Sequence, residues 1–294
     1  MKILEINNLT KRYGNIQAIK DLNLVINQGE IYGLLGPNGS GKTATLSIIL
    51  DVIESDNGDY FWFGEKSDNK THRRIGTLIE TPNFYPYLSC EQNLRIVAEI
   101  KFVDPSDVDR VLKLVKLYDR RRSKFKQLSL GMKQRLALAS VLIGDPEVLV
   151  LDEPANGLDP EGIAEVREII KSEAKKNKTV ILASHILDEV EKVCTHVGVL
   201  KNGLLLSSGR VNELLNSEDE VIISTERLSE FGAILKNSPM LKSIIIGDEE
   251  ITLILNKEFS SADINKYASK NGFDLTRLEI RKKTLEDQFL ELVK

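Results

Sequence analysis

Cysteine is scarce in this sequence, and long apolar runs and an excess of positive charge are missing. The 294 residues include two cysteines, Cys90 and Cys194, which are far apart and form no Cys-x-x-Cys spacing, so we expect neither a disulfide framework nor a zinc site. A formal net charge of −4 leaves no basic field for DNA or RNA, so we expect no nucleic-acid partner. No run reaches the roughly 18 apolar residues of a membrane span, and the amino terminus lacks the apolar core of a signal peptide.

The composition is that of a globular protein, with 41% hydrophobic and 29% charged residues. Up to about residue 212, short apolar runs such as EVLVL and TVILA alternate with amphipathic segments. Apolar strands joined by helices predict an α/β domain with a largely parallel, doubly covered sheet. Residues 2–7, 22–26 and 60–64 predict an antiparallel side sheet, and residues 85–145 approximately form a predicted helical subdomain.

A different pattern follows the polar stretch around residues 208–219. The later segments alternate as strand, helix, strand, strand, helix and strand, which is the order of a ferredoxin-like fold. We therefore predict two domains, residues 1–212 and a small α+β domain over residues 213–294. The last segment, TLEDQFLELVK, predicts an amphipathic helix with Thr284 and Asp287 at capping-box spacing.

The stretch GPNGSGKT fits the phosphate-loop pattern GxxxxGK[ST] and stands between an apolar strand and a predicted helix. Glycines let the backbone fold around an oxyanion, so that N–H groups and the helix N-terminus point at phosphate oxygens. Lys42 would bridge the β- and γ-phosphates, and the hydroxyl of Thr43 would ligate Mg²⁺. The residues predicted to bind the nucleotide around these two are Gly36, Pro37, Asn38, Gly39, Ser40, Gly41 and Ala44.

The stretch VLVLDEP predicts a buried strand that ends in two carboxylates, Asp152 and Glu153. This order is expected where one acid holds Mg²⁺ through water and the next polarises the attacking water. Paired carboxylates at a strand end are costly unless a cation and a substrate use them. His185 follows the next strand, in ASHIL, where a ring nitrogen could reach a γ-phosphate. These residues predict hydrolysis of a nucleoside triphosphate.

A second anion site is indicated by LSLGMKQRLALA, where Ser129 and Gly131 stand just ahead of a helical stretch. The hydroxyl of Ser129 and the positive end of the helix could bind phosphate. By itself the motif fits a plain capped helix equally well.

The chain contains four motifs in the order GPNGSGKT, LSLGMKQRLALA, VLVLDEPANGLDP and ASHIL. With these motifs, residues 2 to 212 approximately resemble the ATP-binding subunits of ABC transporters. The resemblance implies a P-loop NTPase fold that binds ATP and Mg²⁺. It makes Lys42 the phosphate lysine, and Thr43 and Asp152 the Mg²⁺ residues. It also makes Glu153 the catalytic base and His185 the switch histidine.

The resemblance further implies an ATP-dependent, head-to-tail homodimer or pseudo-dimer. In the family, the signature segment of one subunit caps the ATP held by the other, which explains two separated anion-binding ends on one chain. Tyr13 matches the aromatic residue that stacks on adenine, although a lone tyrosine at this place fits a packing role equally well. Asp159 matches the aspartate that links the two sites. The residues that would act in trans with Asp159 are Ser129, Leu130, Gly131 and Met132.

Three departures from the family pattern are present. Leu130 and Met132 replace residues of the usual LSGGQ signature, and Ala44 stands where a second hydroxyl is common. Glu80 occupies the place of a glutamine that contacts Mg²⁺ and water and faces the membrane subunit, so it is a predicted catalytic and metal residue. These departures resemble the bacterial export branch for bacitracin or lantibiotic self-protection, where a glutamate at that place marks the lantibiotic-immunity group.

The implied function is an ATPase, cytoplasmic and peripheral on the inner face of the membrane, that powers a separate integral membrane permease and exports an antimicrobial peptide or drug. An alternative is a soluble ABC ATPase that acts mechanically on ribosomes or DNA. The single nucleotide module, the acidic net charge and the lack of a long coiled-coil insertion argue against it. A regulator that does not hydrolyse ATP would be expected to lack Glu153 or His185, and both are present.

Overall fold

A computed structural model of the chain describes residues 1–79, 83–215, 220–236, 238–256 and 258–281, together with Leu285 and Phe289. The chain forms two compact units, Met1–Val211 and a second unit that begins at Asn212, one residue before the predicted boundary at 213. Glu80 and the predicted capping residues Thr284 and Asp287 lie outside the described residues.

The first unit alternates strands and helices. Its strands are β1 (Lys2–Tyr13), β2 (Ile16–Asn27), β3 (Ile31–Leu35), β4 (Asn57–Trp62), β5 (Ile75–Leu78), β6 (Val148–Asp152), β7 (Thr179–Ser184), β8 (His196–Lys201) and β9 (Leu204–Arg210). Its helices are α1 (Lys42–Ile49), α2 (Asn69–Arg73), α3 (Cys90–Ile100), α4 (Asp107–Leu114), α5 (Leu130–Leu142), α6 (Pro160–Ala174) and α7 (Leu187–Val193), and α8 (Val211–Leu215) begins at the boundary.

The main sheet of this unit has the strand order β5-β6-β7-β3-β8-β9. Strands β5, β6, β7, β3 and β8 are parallel, and β9 is antiparallel to β8. Every position of β3, β6 and β7 is buried, as expected of parallel strands with helices on both faces. The α/β class predicted from the sequence is confirmed.

The side sheet has the order β2-β1-β4 and is antiparallel. The predicted strands at 2–7 and 22–26 were too short, because β1 and β2 continue as a tight hairpin in which Tyr13 pairs with Ile16. The additional residues mix polar and apolar side chains, with Leu9 and Ile19 buried but Ile16 exposed, and several register shifts interrupt their pairing. The apolar alternation on which the prediction depended is therefore absent there.

Helix α1 packs between the two sheets. Leu46, Ile48 and Ile49 belong to one buried cluster with residues of β1, β2 and β4 on one side and of β3 and β6 on the other. The indole Nε1 of Trp62 donates to the carbonyl oxygen of Ile49 at 2.6 Å, which satisfies a carbonyl at the end of the helix. This packing holds the loop that precedes α1 against both sheets.

After α8, the second unit contains four further described strands with two helices between them. They are β10 (Glu220–Ser224), α9 (Leu228–Leu235), β11 (Leu241–Ile246), β12 (Ile251–Leu255), α10 (Ser261–Lys270) and β13 (Arg277–Arg281). The sheet is antiparallel with the order β11-β12-β10-β13, which is a ferredoxin-like arrangement. Its core includes Val221, Phe231, Leu253, Ile264 and Phe273. Across both units, none of the described helices has the length and apolar character needed to cross a bilayer.

A buried ion pair joins the end of α6 to β7. Glu173 is fully buried, and its carboxylate accepts from the Nζ atoms of Lys178 at 2.7 Å and Lys176 at 2.6 Å. Burial alone would raise the pKa of Glu173, but the two lysines outweigh it and hold the pKa below its ordinary value of 4.5. The stabilisation by this pair is therefore present above pH 4.5 and is lost as the pH falls through the lower pKa of the folded state.

We expect Lys178→Met to lower the free energy of unfolding of the first unit by about 3 kcal/mol, because it leaves a buried carboxylate without its buried partner. The measurement is guanidinium unfolding followed by the fluorescence of Trp62, the only tryptophan, which is buried in this unit. Lys175→Met, at an exposed neighbour, is the control and should change the free energy by less than about 0.5 kcal/mol. Equal midpoints for the two variants would contradict this account of the pair.

Candidate nucleotide site

The parallel register of the main sheet brings the predicted site residues to one edge. Leu35 of β3 pairs with Ser184 of β7, and Asp152 of β6 pairs with Ala183 of β7. The three strands therefore end at the same level. The segments that follow them, which begin at residues 36, 153 and 185, all leave the sheet at this edge.

The phosphate loop has a backbone that only glycine can adopt at its critical points. Gly41 has φ of +107°, and a Cβ atom there would lie 2.3 Å from the carbonyl oxygen of Ala18. A Cβ atom at Gly36 would lie 2.4 Å from the carbonyl oxygen of Leu200. The Oγ of Ser40 is buried and has no hydrogen-bond partner among the described residues. A buried hydroxyl without a partner beside the N-terminus of α1 fits the oxygen of a bound phosphate.

Lys42 lies inside this loop and is buried. Its Nζ donates to the carbonyl oxygens of Gly36 at 2.7 Å and Pro37 at 3.3 Å, and it is 4.0 Å from Oε1 of Glu153. Burial lowers the pKa of Lys42, and the nearby carboxylates of Glu153 and Asp152 partly offset this effect. A desolvated ammonium of this kind gains strongly from an anionic ligand.

Thr43 and Asp152 form an oxygen pair next to the loop. The hydroxyl of Thr43 donates to Oδ2 of Asp152 at 2.8 Å, although 109 positions separate the two residues. Hydroxyl and carboxylate oxygens suit Mg²⁺, which keeps several waters and takes few protein ligands beside substrate phosphates. The described part of the chain contains no cluster of three or more His, Cys, Asp or Glu that could hold a metal by itself.

Glu153 and His185 contact each other at the same edge. Nδ1 of His185 lies 2.8 Å from Oε2 of Glu153. Glu153 has φ of +48°, an uncommon conformation for a residue with a side chain, and its N–H donates to the carbonyl oxygen of Ala183 at 2.9 Å. Such conformations cost about 1–3 kcal/mol and are concentrated at functional sites. The bend after β6 turns the Glu153 carboxylate toward His185 and Lys42.

The signature segment and Asp159 line a separate cleft of about 480 Å³, to which the phosphate loop contributes no residue. Ser129 is the N-cap of α5, and its Oγ accepts from the N–H of Met132 at 3.3 Å. Asp159 is the N-cap of α6 and accepts from the N–H of Gly162 at 3.0 Å. The cleft thus has two capped helix N-termini, each with a positive end.

The expectation that Ser129 and Gly131 both stand ahead of the helix was wrong for Gly131. Helix α5 begins at Leu130, so that Leu130, Gly131 and Met132 form its first turn. Because Ser129 caps the helix, α5 can begin at Leu130. A glycine in the first turn costs little helix stability, because the first N–H groups of a helix have no intrahelical partner.

Three charged residues of the same cleft were not found by sequence reasoning. They are Arg135, Glu161 and Glu165, and Nε of Arg135 lies 3.3 Å from Oε2 of Glu165. The signal was helical spacing, because Arg135 follows Gly131 by four residues on α5 and Glu165 follows Glu161 by four on α6.

Tyr13 lies at the turn of the β1–β2 hairpin, and its ring is 49% exposed. Lys11 Nζ lies 5.7 Å from the ring centroid. The same hairpin contacts the phosphate loop, since Ala18 of β2 limits the space at Gly41. An exposed aromatic face on this hairpin is compatible with stacking on adenine, which stays a prediction.

Comparison with known proteins identifies the class. Residues 19–156 match the family model described as ABC transporter. Curated ATP-binding proteins of transporters also align with nearly the whole chain. The chain therefore belongs to the ATP-binding proteins of ABC transporters, which are ATPases coupled to transport.

Three relatives place it within that class. A bacitracin transport ATP-binding protein of Enterococcus faecalis is 35% identical over 299 aligned residues, which span 99% of this chain and 96% of that protein. A lantibiotic transport ATP-binding protein of Streptococcus pyogenes is 37% identical over 222 residues, 74% of this chain and 97% of that protein. An ATP-binding cassette solved as a dimer in a post-hydrolysis state with ADP and Pi is 25% identical, with a TM-score of 0.64 over 71% of this chain and 99% of its own.

We expect Lys42→Ala to weaken ATP binding by at least about tenfold, because the phosphates lose a charge-assisted contact. Isothermal titration calorimetry measures the dissociation constant, and Trp62 fluorescence checks that the fold is kept. Lys175→Ala, which removes the exposed lysine that follows α6, is the matched control. An affinity equal to that of the unmodified chain would rule out this role for the loop.

Proposed function

We propose that this chain hydrolyses ATP with Mg²⁺ as a head-to-tail homodimer and powers a separate membrane permease that exports an antimicrobial peptide. The observation that carries the hydrolytic part is the convergence of Lys42, the Thr43–Asp152 pair and the Glu153–His185 pair at one edge of the sheet. The names of the bacitracin and lantibiotic transport relatives support the export part.

The loop and Lys42 would bind the phosphates. Backbone N–H groups at the start of α1 point outward with the positive end of the helix, and Ser40 adds its buried hydroxyl. The Lys42 ammonium would exchange the carbonyl oxygens of Gly36 and Pro37 for β- and γ-phosphate oxygens. This exchange replaces neutral partners with charged ones and so favours the bound nucleotide.

Thr43 and Asp152 would hold Mg²⁺ through the two oxygens that now share a hydrogen bond. When bound, the ion supplies neutralisation of the charge that develops on the phosphate oxygens. Glu80 would add a carboxylate near the metal, and this role remains a prediction because Glu80 lies outside the described residues.

Glu153 would act as the general base toward the attacking water. Its carboxylate is within hydrogen-bond distance of His185 Nδ1, so the imidazole can hold it in position and contact the γ-phosphate with its other nitrogen. The strained bend at Glu153 keeps the carboxylate at the edge of the sheet and away from the buried strand.

The second half of each ATP site would come from the partner subunit. The cleft formed by the signature segment and Asp159 is built of capped helix N-termini, which attract anions. Because the phosphate loop does not line this cleft, a second copy of the chain can place its own nucleotide there. The solved relative with ADP and Pi is dimeric, which supports such an assembly.

The permease would contact the segment that follows Glu80. Tyr85 and Tyr87 expose 49% and 62% of their surface, and their ring centroids are 5.9 Å apart. Exposed neighbouring aromatic rings are typical of protein contact sites. They lie close in sequence to the residue that the family resemblance places toward the membrane subunit.

Glu153→Gln should retain ATP binding and lower the turnover number by about 10²- to 10⁴-fold, the usual effect of losing a general base. Since hydrolysis then no longer disassembles the complex, an ATP-bound dimer should accumulate. Light scattering after size exclusion measures the mass at saturating ATP and Mg²⁺. A monomer under these conditions would count against the shared site, and full turnover would count against the base.

The export function is tested by affinity purification of the tagged chain from detergent-solubilised native membranes, followed by mass spectrometry. We expect a polytopic permease in near-equal amount, and we expect the Tyr85→Ser, Tyr87→Ser double variant to lose most of it while keeping ATP binding. Ile245→Ser, at a residue of the second unit that is 69% exposed, is the control. Recovery with ribosomes or DNA and no permease would overturn the export function and leave the ATPase standing.

A further inference from the structure

Two cationic side chains donate hydrogen bonds to the carboxyl end of α5. This is the helix whose first turn carries the signature segment. Lys101 Nζ donates to the carbonyl oxygens of Ser140 at 3.0 Å, Val141 at 3.3 Å and Ile143 at 3.3 Å. Nη2 of Arg110 donates to the carbonyl oxygen of Leu142 at 2.9 Å. Four consecutive carbonyl groups are therefore bound by side chains from outside the helix. We call Lys101 and Arg110 the α5 clamp.

The clamp takes the place of water at the carboxyl end of α5. The last carbonyl groups of a helix have no intrahelical partner and are usually satisfied by solvent or by a left-handed residue. Here Val141, Leu142 and Ile143 are buried, and Ile143 is extended and is followed by the left-handed Gly144. The carbonyl oxygen of Leu142 also accepts from the N–H of Asp145 at 3.2 Å. Buried carbonyl oxygens without partners would be costly, so the donors that the two cations add stabilise this end of the helix.

Both cations are anchored on neighbouring helices. Lys101 is the C-cap of α3, with its N–H donating to the carbonyl oxygen of Val97 at 3.0 Å. Arg110 lies on α4 and is paired with the carboxylate of Asp107, which also accepts from the N–H of Gly144 at 2.8 Å. The clamp thus connects the end of α5 and the residue after it to α3 and α4.

The positive charge of Lys101 suits its place at the carboxyl end of α5. Burial lowers the pKa of Lys101 to about 8, and the carboxylate of Asp107 acts in the opposite direction. The negative end of the α5 dipole is the natural partner for a desolvated ammonium. Three donors on the ammonium meet three carbonyl oxygens, a match that a neutral amine with two donors cannot make.

We propose that Lys101 and Arg110 are positioning residues for the Ser129–Met132 segment. Helix α5 is a rod of 13 residues, about 20 Å long, so fixing its carboxyl end fixes the direction and height of its N-terminus. In the dimer that we propose above, that N-terminus contacts the ATP of the partner subunit, and this inference rests on that proposal. The clamp therefore acts on dimer formation and leaves the phosphate loop of its own chain unaffected.

The test separates these two events. In the Glu153→Gln background, analytical ultracentrifugation with saturating ATP and Mg²⁺ gives the dimer dissociation constant, and a fluorescent ATP analogue at low protein concentration gives nucleotide affinity of the single chain. We expect Lys101→Met to weaken the dimer by about tenfold or more, the effect of a lost charge-assisted hydrogen bond, with nucleotide affinity unchanged.

Rescue distinguishes positioning from general stability. Lys101→Arg keeps the charge and the donors, so its dimer should be within about threefold of the parent. Lys113→Met, at an exposed lysine of α4, is the matched control and should not weaken the dimer. If Lys101→Met does not fold, Lys101→Gln replaces it in the test. This variant keeps two donors and loses the charge, so it should also weaken the dimer, but by less than Lys101→Met.

The outcomes are distinct. A Glu153→Gln parent that stays monomeric would overturn the proposed function and this inference with it. A parent that dimerises, together with clamp variants that dimerise equally well, would overturn this inference alone. Equal losses of nucleotide affinity and of dimer in Lys101→Met would also overturn it, because the effect would then not be confined to α5.

Discussion

The parallel pairing of β3, β6 and β7 is the constraint on which the nucleotide site depends. All positions of these strands are buried, so a shift of register would move polar residues such as Asp152 out of place and misalign the covering helices. The observed register ends the three strands at one level, at Leu35, Asp152 and Ser184. The phosphate loop, Glu153 and His185, which follow these strands, therefore lie together at this edge of the sheet.

The site combines three features that cost stability in the chain without a bound phosphate. The buried hydroxyl of Ser40 has no hydrogen-bond partner among the described residues, Lys42 has a desolvated ammonium, and Glu153 has a strained backbone. Each would cost stability in a protein that bound nothing. The packing of α1 between two sheets, with Trp62 bound to its last turn, is what lets the fold tolerate them. The site is thus prepared for phosphate by the same packing that stabilises the first unit.

Helix α5 links the subdomain to the site through its two ends. Its N-terminus is capped by Ser129 inside the cleft that Asp159 shares, and its carboxyl end is neutralised by Lys101 and Arg110. The helix dipole makes the N-terminus positive and favours cations at the carboxyl end. A rigid helix held at one end can present the other end to a partner in a defined position. The bacitracin transport relative aligns with 99% of this chain, so the alignment includes the second unit.

The sequence alone identified the residues of the candidate site, because GPNGSGKT, the Asp152–Glu153 pair and His185 are local patterns that can be recognised from residue type and spacing. It also determined the α/β class, through apolar strands that alternate with helices. Only the tertiary structure decided the length of the β1–β2 hairpin, where apolar and polar residues do not alternate regularly and register shifts interrupt the pairing. It alone showed Lys101 bound to carbonyl oxygens 39 to 42 positions away, and Arg135 beside Glu165 in the cleft. Contacts of this kind depend on how helices pack, and packing is set by the whole core and not by the spacing of a motif.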